Sequence, residues 1–112
     1  MRISTLMDNM FDFNIASTPE ICNELGQRLR SRRLALGWSQ DDLARRAGLS
    51  AGSVKNLEGR GQSSLDSFVR IVTALGLADD FSELFAIKMT SIAAMESAEH
   101  AQRQRAPRKA AR

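Results

Sequence analysis

Ser39-Gln40-Asp41-Asp42-Leu43-Ala44-Arg45-Arg46-Ala47-Gly48-Leu49-Ser50-Ala51-Gly52-Ser53-Val54-Lys55-Asn56-Leu57-Glu58-Gly59 is the stretch that decides the fold. It reads as helix, three-residue turn, helix. Ser39 caps the first of these helices, and Asp41 and Asp42 lie at the positive end of its dipole. Gly48 supplies the left-handed stop and Leu49 plugs the angle between the two helices. Ser50 caps the second, Ala51–Glu58, which Gly59 ends. Ala44 is small where two helices must cross closely. Val54 and Leu57 fix the second helix against Leu43. Such a pair can project the N-terminal end and outer face of its second helix into a major groove.

The same punctuation continues on both sides. Upstream, Ser17-Thr18-Pro19-Glu20 combines a hydroxyl cap, a proline at the first helical position and an early acid. Ile21, Leu25, Leu29 and Leu36 then recur at helical spacing, so a helix is predicted over Pro19–Leu36, stopped by Gly37. Downstream, Ser64 caps a helix over Leu65–Leu75, with Leu65, Phe68, Val69, Val72 and Leu75 as its apolar side and Gly76 as its stop. A fifth short helix is expected near Asp80–Phe85, capped by Asp79 or Asp80, with Phe81, Leu84 and Phe85 on its apolar face. Five short helices make an all-α domain.

The ends read differently. Residues 1–17 are an N-terminal extension in which Phe11, Phe13 and Ile15 alternate as in a short strand. Residues 18–86 form the helical domain. Residues 87–96, with Ile87, Met89, Ile92 and Met95, fit strand or helix and are expected to serve as a dimer or partner-contact segment. Residues 97–112 are a basic tail without large apolar side chains, expected to be disordered in the free protein because it cannot bury enough surface to offset its ordering entropy.

Composition narrows the function classes. With 112 residues the chain has room for a single small core, and a two-domain enzyme is not expected. Cys22 is the solitary cysteine, so there is no disulfide framework or cysteine metal cage. No apolar run approaches the roughly 20 residues that span a bilayer. The first fifteen residues lack a secretory apolar region, so a cytoplasmic location is expected. The net charge is +3. Bases concentrate at Arg28, Arg30, Arg32, Arg33, Arg45, Arg46, Lys55 and Arg60, and again in the tail. Asp66, Asp79, Asp80, Glu83 and Glu96 make the intervening part acidic. Basic blocks of this kind are either a polyanion-binding face or a solvated helix surface.

No residue set reads as catalytic, cofactor-binding or metal-ligating. His100 has no second ligand at a metal spacing. Cys22 lacks a histidine partner on its helical face. Gly59-Arg60-Gly61 is not a phosphate loop, because the Gly-x-x-x-x-Gly-Lys-Ser/Thr pattern is missing. Trp38 reads as a lid on the core, and Met89 and Met95 as boundary packing.

The run from Leu36 to Gly59 resembles the XRE family of helix-turn-helix proteins, which includes Cro and the lambda repressor. Gly37, Ser39-Gln40, Leu43-Ala44, Ala47-Gly48-Leu49-Ser50, Val54 and Leu57-Glu58-Gly59 carry the likeness, with Ser64-Leu65, Phe68 and Leu75-Gly76 matching the usual fourth helix. The resemblance implies that Gln40 contacts a phosphate and braces the recognition helix, and that Ser39 offers its backbone N–H to the same phosphate. It also implies a fold-holding pair between Arg33 and Glu58.

On the recognition helix the outer positions are Ala51, Gly52, Ser53, Lys55 and Asn56, following Ser50. Ala51 and Gly52 are shorter than in the best-known readers of this kind. Ala51 suits a thymine methyl and Gly52 a close backbone approach. Direct readout then falls to Ser53, Lys55 and Asn56, with Asn56 suited to adenine and Lys55 to guanine or a phosphate. Arg60 suits a phosphate clamp, and Arg45 and Arg46 are either phosphate clamps or a solvated face.

A single such domain reads too short a site for genomic specificity, so a homodimer on a palindromic operator is expected, with half-sites about 34–36 Å apart. Phe81–Met95 and the acidic fourth and fifth helices are the expected contact, although Leu84 fits the monomer core equally well. The tail from Gln102 to Lys109 resembles the basic ends of HipB-type antitoxins, which restrain HipA-like kinase toxins and repress their own operon. A stand-alone repressor without a toxin partner is the alternative.

Overall fold

A computed structural model describes residues 10–87 and 95–103. The chain divides between Asp79 and Asp80 into two units, and each is described by itself. Among its described residues the first holds four full α-helices: α1 Thr18–Ala35, α2 Gln40–Ala47, α3 Ala51–Arg60 and α4 Leu65–Ala74. No strand occurs among the described residues, so the all-α class holds.

Each helix starts where its serine predicts. Ser17, Ser39, Ser50 and Ser64 have extended backbones, and each side chain accepts an N–H three residues on. At α1 and α2 the cap is reciprocal, with Glu20 and Asp42 accepting the N–H of Ser17 and Ser39 at 2.8 and 2.9 Å. Such a box satisfies two donors that the first turn would leave bare. α2 ends on Gly48 at φ 70°, and the Leu49 amide donates to the Ala44 carbonyl at 2.8 Å.

The core is Leu29 from α1, Leu43, Ala44 and Ala47 from α2, Val54 and Leu57 from α3, and Ile71, Val72 and Leu75 around α4. α3 lies against α1, α2 and α4, and α2 also packs on α4. α1 reaches α3 with almost no side chain between them. A Cβ on Gly26 would overlap the Leu57 carbonyl oxygen, and one on Gly61 would overlap the Cys22 backbone. Only glycine permits backbones this close.

Six expectations need correction. α3 does not stop at Glu58. It continues through Gly59 to Arg60, and the left-handed residue is Gly61 at φ 65°. Gly59 costs helix stability without breaking the hydrogen-bond ladder, whereas Gly61 is where the chain must turn. On α4 the buried pair is Ile71 and Val72, while Leu65 is 77% exposed and Val69 is also exposed, because the core lies to one side of the expected stripe. Leu36 is exposed too, as the capping residue of α1.

Residues 13–15 form a turn, and no strand forms over 11–17. The Asp12 carboxylate accepts the Asn14 N–H at 2.9 Å, and the Phe11 and Phe13 rings meet edge to face at 4.6 Å. Alternation therefore marks a folded-back pair here, with the Arg28 guanidinium over Phe13 at 5.1 Å.

The fifth helix is only a 3-10 turn, Ala78–Phe81. Residues 82–85 are turn, and Phe85 has φ 58° and lies exposed, so no apolar helical face forms there.

In the second unit, residues 95–103 are helical where disorder was expected from 97 onward. Glu99 and Arg103 pair at i,i+4, at 3.4 Å. The stretch is rich in Ala, Glu, Gln and Arg, strong helix formers that need no core. The expectations for residues 1–9, for Met89 and Ile92, and for the tail bases beyond Arg103 lie outside the described residues.

Asp42 gives a pH dependence. The Ser39 backbone N–H holds its carboxyl below the usual aspartate range, aided by the Ser39 hydroxyl and by Arg45. The folded value is the lower one, so the stabilisation is present above the unfolded value and is lost as pH falls through the folded one. Asp42→Asn is therefore expected to flatten the acid limb of stability, read as denaturation midpoints from pH 7 to pH 2.

Candidate nucleic-acid interface

α3 carries its acid inward and its bases outward. Glu58 is buried at 2% exposure, and its carboxylate receives the Arg33 guanidinium at 2.8 and 3.0 Å. Arg33 is itself buried, and its remaining arm donates to the Trp38 carbonyl at 2.7 Å. The Gln40 amide donates to the same Glu58 carboxylate at 3.1 Å. From α1, the Gln27 amide donates to the Glu58 backbone carbonyl at 2.8 Å. No buried side-chain polar atom is left without a partner among the described residues. Bidentate geometry and full satisfaction are what a buried ion pair needs if it is not to destabilise. The Arg33–Glu58 pair and the bracing by Gln40 are thus both present.

With Val54, Leu57 and Glu58 facing the core, the opposite side of α3 is fixed. Gly52, Lys55, Asn56, Gly59 and Arg60 are exposed, at i, i+3, i+4, i+7 and i+8, and form one stripe. It holds two bases, one amide and no acid. Arg60 lies one turn beyond Asn56 on this stripe, a place the shorter predicted helix did not give it. Ala51 and Ser53 are half-buried at its edge. The Ser53 N–H and hydroxyl both engage the Ser50 hydroxyl, at 3.2 and 3.1 Å. Ser53 is therefore less free to read a base than Lys55 or Asn56.

The start of α2 departs from expectation. The Ser39 N–H is already bonded to Asp42, and the Ser39 hydroxyl accepts the Asp42 N–H, so the donor expected to meet a phosphate is occupied by the protein's own carboxylate. Arg45 pairs with Asp42 at 2.7 Å, while Arg46 lies over the Trp38 ring at 4.2 Å from its centre.

Sequence reasoning missed one part of this face. The Gln62 N–H donates to the Asn56 carbonyl at 3.2 Å, which folds the turn after α3 back beside Asn56. Ser53, Asn56, Gln62, Ser63, Ser64 and Ser67, all polar and uncharged residues, then line a concavity of about 340 Å³. The Gly61 turn and the serine run were legible, but not that they would close on Asn56. Among the described residues no group of three His, Cys, Asp or Glu side chains could hold a metal ion. No described helix is long and apolar enough to cross a membrane.

A search among curated proteins gives no match. The family model for a helix-turn-helix domain matches residues 24–84, which takes in most of α1, all of α2, α3 and α4, and the 3-10 turn. Over half the chain is covered, and the chain belongs to the helix-turn-helix domain family.

Proposed function

We propose that the protein is a sequence-specific DNA-binding transcriptional regulator. It inserts α3 into a major groove and reads base edges with Asn56 and Lys55. The observation that carries this reading is the exposed, acid-free stripe Gly52, Lys55, Asn56, Gly59 and Arg60, oriented by the inward Glu58. Asn56 presents the donor and acceptor that match adenine, and Lys55 a donor for guanine or phosphate. Gly52 lets the backbone approach, and Ala51 and Ser53 flank the contact. Gln40, Arg45, Arg46 and Arg60 supply phosphate contacts, which position the helix without specifying sequence.

One such helix reads too few base pairs for genomic specificity. The working form is therefore a homodimer on a palindromic operator, with half-sites about one helical turn apart. Leu84, Phe85 and Ile87 are exposed, and this reading assigns them to the dimer contact. Such a regulator works in the cytoplasm, on the nucleoid.

The finer reading is a HipB-type antitoxin that represses its own toxin–antitoxin operon and binds a HipA-like kinase toxin. Its support is the likeness of the arginine-rich segment from Gln102 to Lys109 to antitoxin ends. A kinase-like protein recovered with the intact chain from its own cells supports it. Recovery of the dimer alone, with operator binding retained, leaves a stand-alone repressor.

Selection of duplexes from a random pool by the purified chain tests the main reading. Enrichment of one palindromic sequence is expected, and equal weak retention of all duplexes contradicts it. On the enriched duplex, Asn56→Ala is expected to cost about 1–3 kcal/mol and to relax preference at one base pair per half-site. Arg60→Ala is expected to weaken all sequences alike and to lower the log–log salt slope by about 0.9 per subunit. Titrations at several salt concentrations separate the two effects.

A further inference from the structure

Arg46 sits in the last turn of α2, yet its guanidinium lies over Trp38, the residue immediately before the Ser39 cap. The side chain has folded back along the helix toward its start. Arg45 is paired with Asp42, whereas among the described residues Arg46 has no carboxylate partner, and its positive charge is uncompensated. Trp38 is half-buried, and its position is fixed from behind by the Arg33 guanidinium on its carbonyl at 2.7 Å. The same Arg33 holds Glu58 of α3. One continuous network therefore runs from the recognition helix, through Arg33 and the Trp38 backbone, to a cation on the surface of α2. A ring held this way restricts a long side chain that would otherwise lose entropy on binding, and leaves the guanidinium edge with its N–H donors open.

We propose that Trp38 is a positioning residue, which holds the Arg46 guanidinium ready for a backbone phosphate beside the start of α2. The proposal rests on the DNA-binding reading and deepens it. It makes Trp38 part of the DNA-binding apparatus although the indole touches no base. The phosphate meets the edge of the guanidinium while its face stays on the ring.

The test is a double-mutant cycle on the duplex enriched by the wild-type chain, with Kd measured across about 50–200 mM salt. Arg46→Gln is expected to lower the log–log slope by about 0.9 per subunit. Trp38→Leu is expected to raise Kd about two- to fivefold, the strength of an exposed cation–π contact, and to leave the slope in place because the charge remains. In the Arg46→Gln background Trp38→Leu is expected to have no further effect. Arg46→Lys is a second probe if Trp38→Leu melts the fold. It keeps the charge, cannot lie flat on the ring, and is expected to match the Trp38→Leu loss. Equal loss from Trp38→Leu in both backgrounds, or an unchanged slope in Arg46→Gln, overturns the proposal. Failure of the DNA reading looks different: the wild-type chain would enrich no duplex, and the proposal would fall with it.

Discussion

The buried contact between Arg33 and Glu58 is the constraint on which the rest of the structure depends. It joins the end of α1 to the body of α3 through two hydrogen bonds, at 2.8 and 3.0 Å, with both partners almost wholly removed from water. Burying two charges is costly, and the cost is offset only when every donor and acceptor is used. The Trp38 carbonyl and the Gln40 amide add partners to the two side chains, and Gln27 holds the Glu58 backbone carbonyl. The pair is directional where apolar packing is not. Val54 and Leu57 keep α3 buried, but a bidentate carboxylate also fixes its rotation about its own axis. Rotation decides which side chains meet solvent.

That rotation divides α3 between two tasks. One side belongs to the core and to α1, with glycine at Gly26 and Gly61 allowing the backbones to meet. The other is the stripe that ends in Arg60. Because the acid of α3 is spent inward, the outward field of the stripe comes from Lys55 and Arg60 alone. Asn56 is placed beside a neutral, hydroxyl-lined concavity, so polar contacts there do not depend on charge. A charged stripe and a neutral, hydroxyl-lined concavity are thus set side by side on a single helix and the turn after it.

Much of this was legible in the sequence because capping chemistry is local. Ser17, Ser39, Ser50 and Ser64 each satisfy donors three residues on, whatever the rest of the chain does. What escaped is what tertiary contact decides. Gly59 and Gly61 look alike as stops, and only the close approach to Cys22 singles out Gly61. Leu65 and Ile71 are equally apolar, and the position of α4 on the core chooses between them. Phe11 and Phe13 alternate as strand residues do, but an Asp12 turn and ring contact fold them together. Disorder from residue 97 onward follows from the lack of core residues there, whereas the helical propensity of residues 97–103 is independent of any core. The exposure of Gly52, Lys55 and Asn56 on the outer side of α3 follows from periodicity. The engagement of the Ser39 N–H by Asp42 follows from a reciprocal cap that the Ser39–Asp42 spacing already permitted.

The most direct measurement is a backbone amide chemical-shift titration of the isotope-labelled full chain with a duplex from its own promoter. Expected are the largest changes at residues 51–56 and near Arg60 and Gln62, with Leu29, Ile71 and Val72 little moved and the fold unchanged. Changes confined to residues 95–103, or spread evenly over the four helices with none concentrated on the outer side of α3, would contradict the account.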